Sequence, residues 1–197
     1  MRFRRPVRSA PSFPLSLPLS PPTISSEEKD LLEECRRLKE RELNGSFDVM
    51  DEMFPNLFLG GKPTREDIAR YGITAILNLA EKEIPRDESF GITKYMGIPI
   101  DDHSDYPIRE HFEACNKFIK EHLENGERVL VHCYVGVSRS ATIMIAYLMA
   151  NDFVSYRKAF DHVKDRRMKV SPNLGFILTL RNYETTLSVE SRVDSDE

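Results

Sequence analysis

The chain has 197 residues, with 28 Lys+Arg against 32 Asp+Glu for a net charge of −4, and 40% of its residues are hydrophobic. This describes one ordinary domain with chain to spare, long enough to bury a core without disulfide staples. The mild acidity supplies no chain-wide attraction for nucleic acid or an anionic membrane, so neither is expected as a partner, and the longest apolar run, Ala141 to Ala150, is about half of what a bilayer span needs.

Residues 1–24 carry Arg2, Arg4, Arg5 and Arg8 and six prolines, with no acidic residue before Glu27. Such a composition reads as a disordered tail. An organelle transit peptide is the alternative, against which the prolines interrupt the amphipathic helix that it needs. Residues 25–46 then switch to a charged stretch in which Leu31, Leu32, Cys35 and Leu38 recur at helical spacing, stopped by Asn44-Gly45. This predicts a short amphipathic helix, packed on the domain or standing in solvent, with a docking role as the sharper reading.

The folded domain is expected over residues 47–188. Phe54 to Gly60 reads as a strand entering a glycine turn, Thr64 to Tyr71 as a short helix capped by Thr64, and Ile73 to Leu79 as a buried strand. A further strand is expected over Thr93 to Ile100. Beyond an acidic loop, Ile108, Phe112, Cys115, Phe118, Ile119 and Leu123 form the apolar stripe of a helix that Asn125-Gly126 ends. Val129-Leu130-Val131 is a short apolar run suited to a central strand, and three more helical stretches follow to about Leu187. Residues 189–197 read as a disordered acidic tail. Strands alternating with helices predict an α/β fold, its central sheet mostly parallel and flanked by helices on both faces.

Cys35, Cys115 and Cys133 include no C-x-x-C pair, so neither a disulfide framework nor a thiolate zinc site is expected. A reducing compartment follows, the cytoplasm or the nucleus. His103 and Glu110 lack repeated ligand spacing, and His111, His122 and His162 have no companion ligands, so packing or surface roles are expected for the histidines. Met144, Met149, Phe153, Phe160 and Phe176 read as core.

The chemistry is concentrated between Val129 and Asn151, where a strand runs through a glycine-bearing loop into a helix: His132, Cys133, Tyr134, Val135, Gly136, Val137, Ser138, Arg139, Ser140. A loop there turns backbone N–H groups inward at the positive end of a helix, an arrangement suited to a phosphate dianion. The same field stabilises a thiolate at Cys133, making it a nucleophile near neutral pH. Arg139 follows after five residues, enough chain to encircle the anion and return a guanidinium fork to two of its oxygens. Ser140 is suited to donate to the cysteine sulfur, and His132 to brace the loop.

This H-C-Y-V-G-V-S-R-S run, followed by A-Y-L-M, resembles the signature of the dual-specificity protein phosphatases, within the cysteine-dependent protein tyrosine phosphatase superfamily. The likeness extends over residues 48–186, taking in Pro55 to Gly60 and the late Ser171-Pro172-Asn173-Leu174-Gly175-Phe176 element. It implies hydrolysis of phosphotyrosine and of phosphoserine or phosphothreonine through a cysteinyl phosphate, with neither metal nor other cofactor. Cys133 is then the nucleophile, Arg139 the phosphate clamp, Ser140 the hydroxyl beside the sulfur, and Asn173 a residue bracing the loop. In the related phosphatases the general acid lies ten residues before an aromatic residue of the next helix. Counting back from Phe112 selects Asp102, with Asp101 the adjacent competitor and Asp105 a helix-start or solvent residue.

Tyr134, Val135 and Val137 put no cation around the phosphate, which favours a phosphoprotein over phosphoinositide or RNA triphosphate substrates. Arg166, Arg167 and Lys169 form a basic cluster that reads either as a second phosphate site or as a charged helix end. The family's arginine for a second phosphotyrosine does not align, since Met168 falls there. The chain resembles the small atypical members, because about 46 preceding residues leave too little for a MAP kinase docking domain. A MAP kinase substrate is compatible with the sequence but not selected by it, and nothing bears on oligomeric state. A non-catalytic phosphate reader and a phosphatase acting on lipid, glycan or RNA are the rival functions.

Overall fold

A computed structural model describes residues 49–80, 92, 94–151 and 155–193. The expected tail and helix of residues 1–46, with Cys35, lie outside the described residues, as does Phe153. The described chain forms five strands, β1 (Met50–Phe54), β2 (Leu57–Gly60), β3 (Ala75–Asn78), β4 (Lys94–Gly97) and β5 (Val129–His132). Its α-helices are α1 (Arg65–Tyr71), α2 (Phe112–Glu124), α3 (Arg139–Asn151), α4 (Tyr156–Arg166) and α5 (Leu174–Val193).

One sheet runs in the order β1-β2-β5-β3-β4, parallel throughout except for β1, which pairs antiparallel with β2. Alternation along the strands divides the core. Val129, Val131, Leu57, Leu59, Ala75 and Leu77 face a large cluster filled by α2 to α5, whereas Leu130, Phe58 and Ile76 face the smaller one closed by Ile68 of α1. Both faces are therefore covered, as expected of parallel strands. The register sets Gly60 and Asn78 on either side of His132. The carboxyl ends of β2, β5 and β3 thus lie together, the edge at which open α/β sheets build their sites.

Several elements differ from the expected ones for local reasons. The stretch expected as one strand breaks at Pro55-Asn56: proline has no N–H to give a ladder, and Asn56 adopts φ +68, turning β1 back on β2. β1 itself was not anticipated. The helix expected from Ile108 starts as a 3₁₀ turn, Ile108–His111, before α2. β4 is shorter than expected and stops before Pro99. The last helix runs to Val193, so residues 189–193 are helical rather than part of a disordered tail.

The cap predicted at Thr64 is present as a capping box, the Asp67 N–H donating to Thr64 Oγ1 at 3.2 Å and Asp67 Oδ2 accepting from the Thr64 N–H at 2.8 Å. α3 is buried along every residue from Arg139 to Met149, which explains an apolar run without amphipathic period. Among the described residues no helix is long and apolar enough to cross a membrane. Met144, Met149, Phe160 and Phe176 are core residues as expected.

Phe112 is fully buried and packs on Tyr183, with ring centroids 5.1 Å apart. Replacing it by Ala is expected to destabilise the protein by about 3–5 kcal/mol in urea unfolding. A loss below about 1 kcal/mol, the range of an exposed site, would contradict this placement of α2.

Candidate active site

β5 delivers Cys133 to the carboxyl edge of the sheet, and the chain then loops through residues 134–138 into α3. The loop's carbonyls all turn outward, and six in succession are taken by donors around it. His132 Nδ1 lies 3.1 Å from Cys133 O, the Lys62 N–H donates to Tyr134 O at 3.1 Å, and Arg167 Nη2 donates to Val135 O at 3.3 Å. Arg167 Nε donates to Gly136 O at 2.9 Å, the Ser171 N–H to Val137 O at 2.8 Å, and Thr142 to Ser138 O through both N–H and hydroxyl, each at 2.8 Å. With carbonyls held outward, the planar peptide units direct their N–H groups toward the loop interior. Gly136 makes the curve possible: its φ is +74, and a Cβ there would lie 2.4 Å from the carbonyl carbon of Gly60.

Inside the loop, the buried Cys133 sulfur receives hydrogen bonds from the Gly136 N–H at 3.3 Å and from Ser140 Oγ at 3.2 Å. Burial alone would push this thiol up. The Ser140 hydroxyl, the backbone N–H groups of Ser140 and Gly136 and the Arg139 charge outweigh it and hold Cys133 below the ordinary thiol value. Cys115, buried on α2 without such donors, is pushed up to about 12 by desolvation and stays a thiol. His132, fully buried, is lowered to about 4, first by desolvation. It is therefore neutral at pH 7 and donates from Nδ1 to the Cys133 carbonyl.

Arg139 is buried and anchored by Nη1 donating to Ile100 O at 2.9 Å, while its buried Nε makes no hydrogen bond and lies 3.8 Å from Asp102 Oδ2. Asp102 Oδ1 accepts from Ser138 Oγ at 2.7 Å and from Asn173 Nδ2 at 2.9 Å. Asn173 is tied to both neighbours, its N–H donating to Ser138 Oγ at 3.1 Å and its Oδ1 accepting from the Phe176 N–H at 3.0 Å. The asparagine expected to brace the loop thus reaches it through Ser138 and also holds Asp102. Asp101, Asp102 and Asp105 are all exposed; Asp105 lies beside His103, whereas Asp102 is bonded to Ser138 of the loop. Cys133, Arg139, Ser140 and Asp102 are brought together; Tyr134 and Val135 stand exposed at the rim and Val137 is buried beneath it.

Two residues of this site were not anticipated. The expected basic cluster is dispersed: Arg166 turns back on His162 O at 3.2 Å, while Arg167 is 2% exposed and pairs with Asp51 of β1 beneath the loop. Arg167 is a loop support rather than a surface cation. Gly175, at the start of α5, lies so close to the loop bearing Asp102 that a Cβ would fall 1.8 Å from Ser104 O. A second arginine in a basic run carries no local sign of burial, but the glycine inside the Asn173 to Phe176 element was a readable signal.

A profile described as "Dual specificity phosphatase, catalytic domain" matches residues 57–186. Among curated proteins, human dual specificity protein phosphatase 9 is 37% identical over 158 residues, covering 79% of this chain and 41% of the relative. The 123R protein of invertebrate iridescent virus 6 is 37% identical over 68% of this chain and 90% of its own. The chain spans less than half the length of the first human relatives, 41% of phosphatase 9 and 43% of dual specificity protein phosphatase 2. The solved structure of human DUSP28 superposes with a TM-score of 0.66 at 30% identity, covering 73% of this chain and 97% of that one.

Replacing Arg167 by Lys keeps a charge beside Asp51 but withdraws the fork from two carbonyls. The pH at which Cys133 is half alkylated by iodoacetamide is expected to move upward, toward that of an ordinary thiol, with kcat falling about 10²-fold for a misplaced site. An unchanged alkylation profile in folded protein would contradict the support role.

Proposed function

The chain belongs to the dual specificity phosphatase family, and from that premise we propose that it hydrolyses phosphotyrosine and phosphoserine or phosphothreonine in phosphoproteins, with Cys133 as nucleophile. The observation that carries this reading is the buried Cys133 sulfur, hydrogen-bonded by Gly136 and Ser140 and held below the ordinary thiol range. A thiolate at the base of a ring of N–H groups is suited to in-line attack on phosphorus.

In the first step the Cys133 thiolate forms a bond to phosphorus as the bond to the ester oxygen breaks. The inward N–H groups and the Arg139 guanidinium hold the non-bridging oxygens, giving the unbonded Nε a partner. Asp102, whose Oδ1 is occupied by Ser138 and Asn173, gives a proton from Oδ2 to the departing oxygen. In the second step the ionised Asp102 accepts a proton from water as that water attacks the phosphocysteine. The sulfur then leaves as a thiolate stabilised by Ser140, and inorganic phosphate is released. Every proton and electron pair is accounted for by these groups and water. A reducing compartment, cytoplasm or nucleus, keeps such a thiolate competent. A MAP kinase is one candidate among phosphoproteins.

The test is steady-state hydrolysis of aryl and alkyl phosphates of graded leaving-group pKa. Cys133→Ser is expected to be inert. Asp102→Asn is expected to lose about 10²–10⁴-fold on alkyl phosphates and little on esters with good leaving groups. Gly175→Ala, by displacing Ser104 and the loop with it, is expected to show the same leaving-group signature in weaker form. Full turnover by Asp102→Asn with loss in Asp101→Asn would overturn the acid, and turnover by Cys133→Ser the nucleophile.

A further inference from the structure

Among the described residues, three large hydrophobic side chains are exposed: Tyr134 at 47%, Val135 at 61% and Met168 at 61%. Scattered exposed apolar residues need no explanation, but these stand on two segments that are tied to each other. Tyr134 and Val135 immediately follow Cys133. Met168 lies on a strap, residues 167–171, that is tied to the phosphate loop at both ends. At one end the Arg167 guanidinium holds the carbonyls of Val135 and Gly136; at the other the Ser171 N–H holds that of Val137 at 2.8 Å.

Between these ties the strap turns, the Val170 N–H donating to Arg167 O at 3.0 Å with Val170 fully buried, which leaves Met168 on the outer corner. Three basic residues of the same segment are engaged by the protein itself. Lys164 Nζ donates to Val170 O at 2.8 Å, Arg166 to its own helix at His162 O, and Arg167 is consumed beneath the loop. Lys169, half-buried on the strap, and the exposed Lys62, whose N–H holds Tyr134 O, are the other cations of these segments, and the large exposed side chains here are apolar.

We infer that Tyr134, Val135 and Met168 form a shelf for an aliphatic or aromatic side chain flanking the phosphorylated residue. The preferred substrate class is then a singly phosphorylated peptide with an apolar neighbour, not one carrying a second phosphate beside the first. The shelf is continuous with the loop that takes the phosphate, so its occupant is the chain attached to that phosphate. The inference rests on the phosphatase reading above. Its apolar contacts form in ground state and transition state alike, so the preference belongs in KM.

The test uses the full chain and matched phosphotyrosine peptides whose neighbouring residues are Leu, Ser or phosphothreonine, with a small aryl phosphate as reference. Wild type is expected to favour the Leu peptide over the Ser peptide by about tenfold in kcat/KM, as for one apolar contact. Met168→Gln is expected to remove about half or more of that preference on a logarithmic scale, leaving aryl phosphate turnover unchanged. Met168→Arg is expected to shift preference toward the doubly phosphorylated peptide. Equal kcat/KM for the Leu and Ser peptides, or wild-type preference for the phosphothreonine neighbour, overturns the shelf while aryl phosphate turnover upholds the enzyme. Should aryl phosphate not turn over, the enzymatic reading fails. Fluorescence-polarisation affinities for the Leu and Ser peptides then decide the shelf, a difference supporting it and equality refuting it.

Discussion

Six consecutive carbonyls, from Cys133 to Ser138, are captured from outside the loop, and the rest of the site depends on that capture. A short loop leaving a buried strand has no ladder to satisfy its polar groups, so the surrounding frame must do so. With the carbonyls engaged, the donors converge on the interior and the Cys133 sulfur is the atom they meet. The frame draws on distant segments: Lys62 after β2, Ser171 before α5, and Arg167 with Asp51 of β1. A buried guanidinium is costly without a counter-charge and a full set of acceptors. Asp51, Val49 O, Val135 O and Gly136 O supply them, which gives the antiparallel edge strand a reason to exist beyond closing the sheet.

Cys133 and Asp102, the proposed nucleophile and acid, are mounted on separate elements but share a joint. Ser138 lies on the phosphate loop and donates to Asp102 on another; Asn173, leading into α5, holds both. Gly175 lets the backbone of Ser104 rest on the first turn of α5. The first turn of α5 and the residue before it thus touch both the loop of Asp102 and the loop of Cys133.

The strand, loop and helix from Val129 to Asn151 were legible because all of their signals are local. An apolar run, a glycine and the set of Cys133, Arg139 and Ser140 fall within one short window. Asp102 needed the resemblance, since three aspartates share its loop and composition does not separate them. β1 was not legible because Asp51 and Glu52 interrupt its apolar pattern and a bulge before Phe54 breaks its period. Arg167 looked like its neighbours Arg166 and Lys169; only tertiary structure distinguishes the arginine that turns inward. The helix expected over residues 25–44 falls outside the described residues.

The central claim is that the loop holds a thiolate in order to form a bond to phosphorus. Its most direct test is rapid acid quench of the enzyme during turnover of an aryl phosphate, followed by mass spectrometry of the peptide containing Cys133. The account predicts one phosphoryl group on Cys133, accumulating further in Ser140→Ala, where the sulfur is a poorer leaving group. Steady turnover with that peptide unmodified, or with the phosphoryl group on another residue, would contradict it.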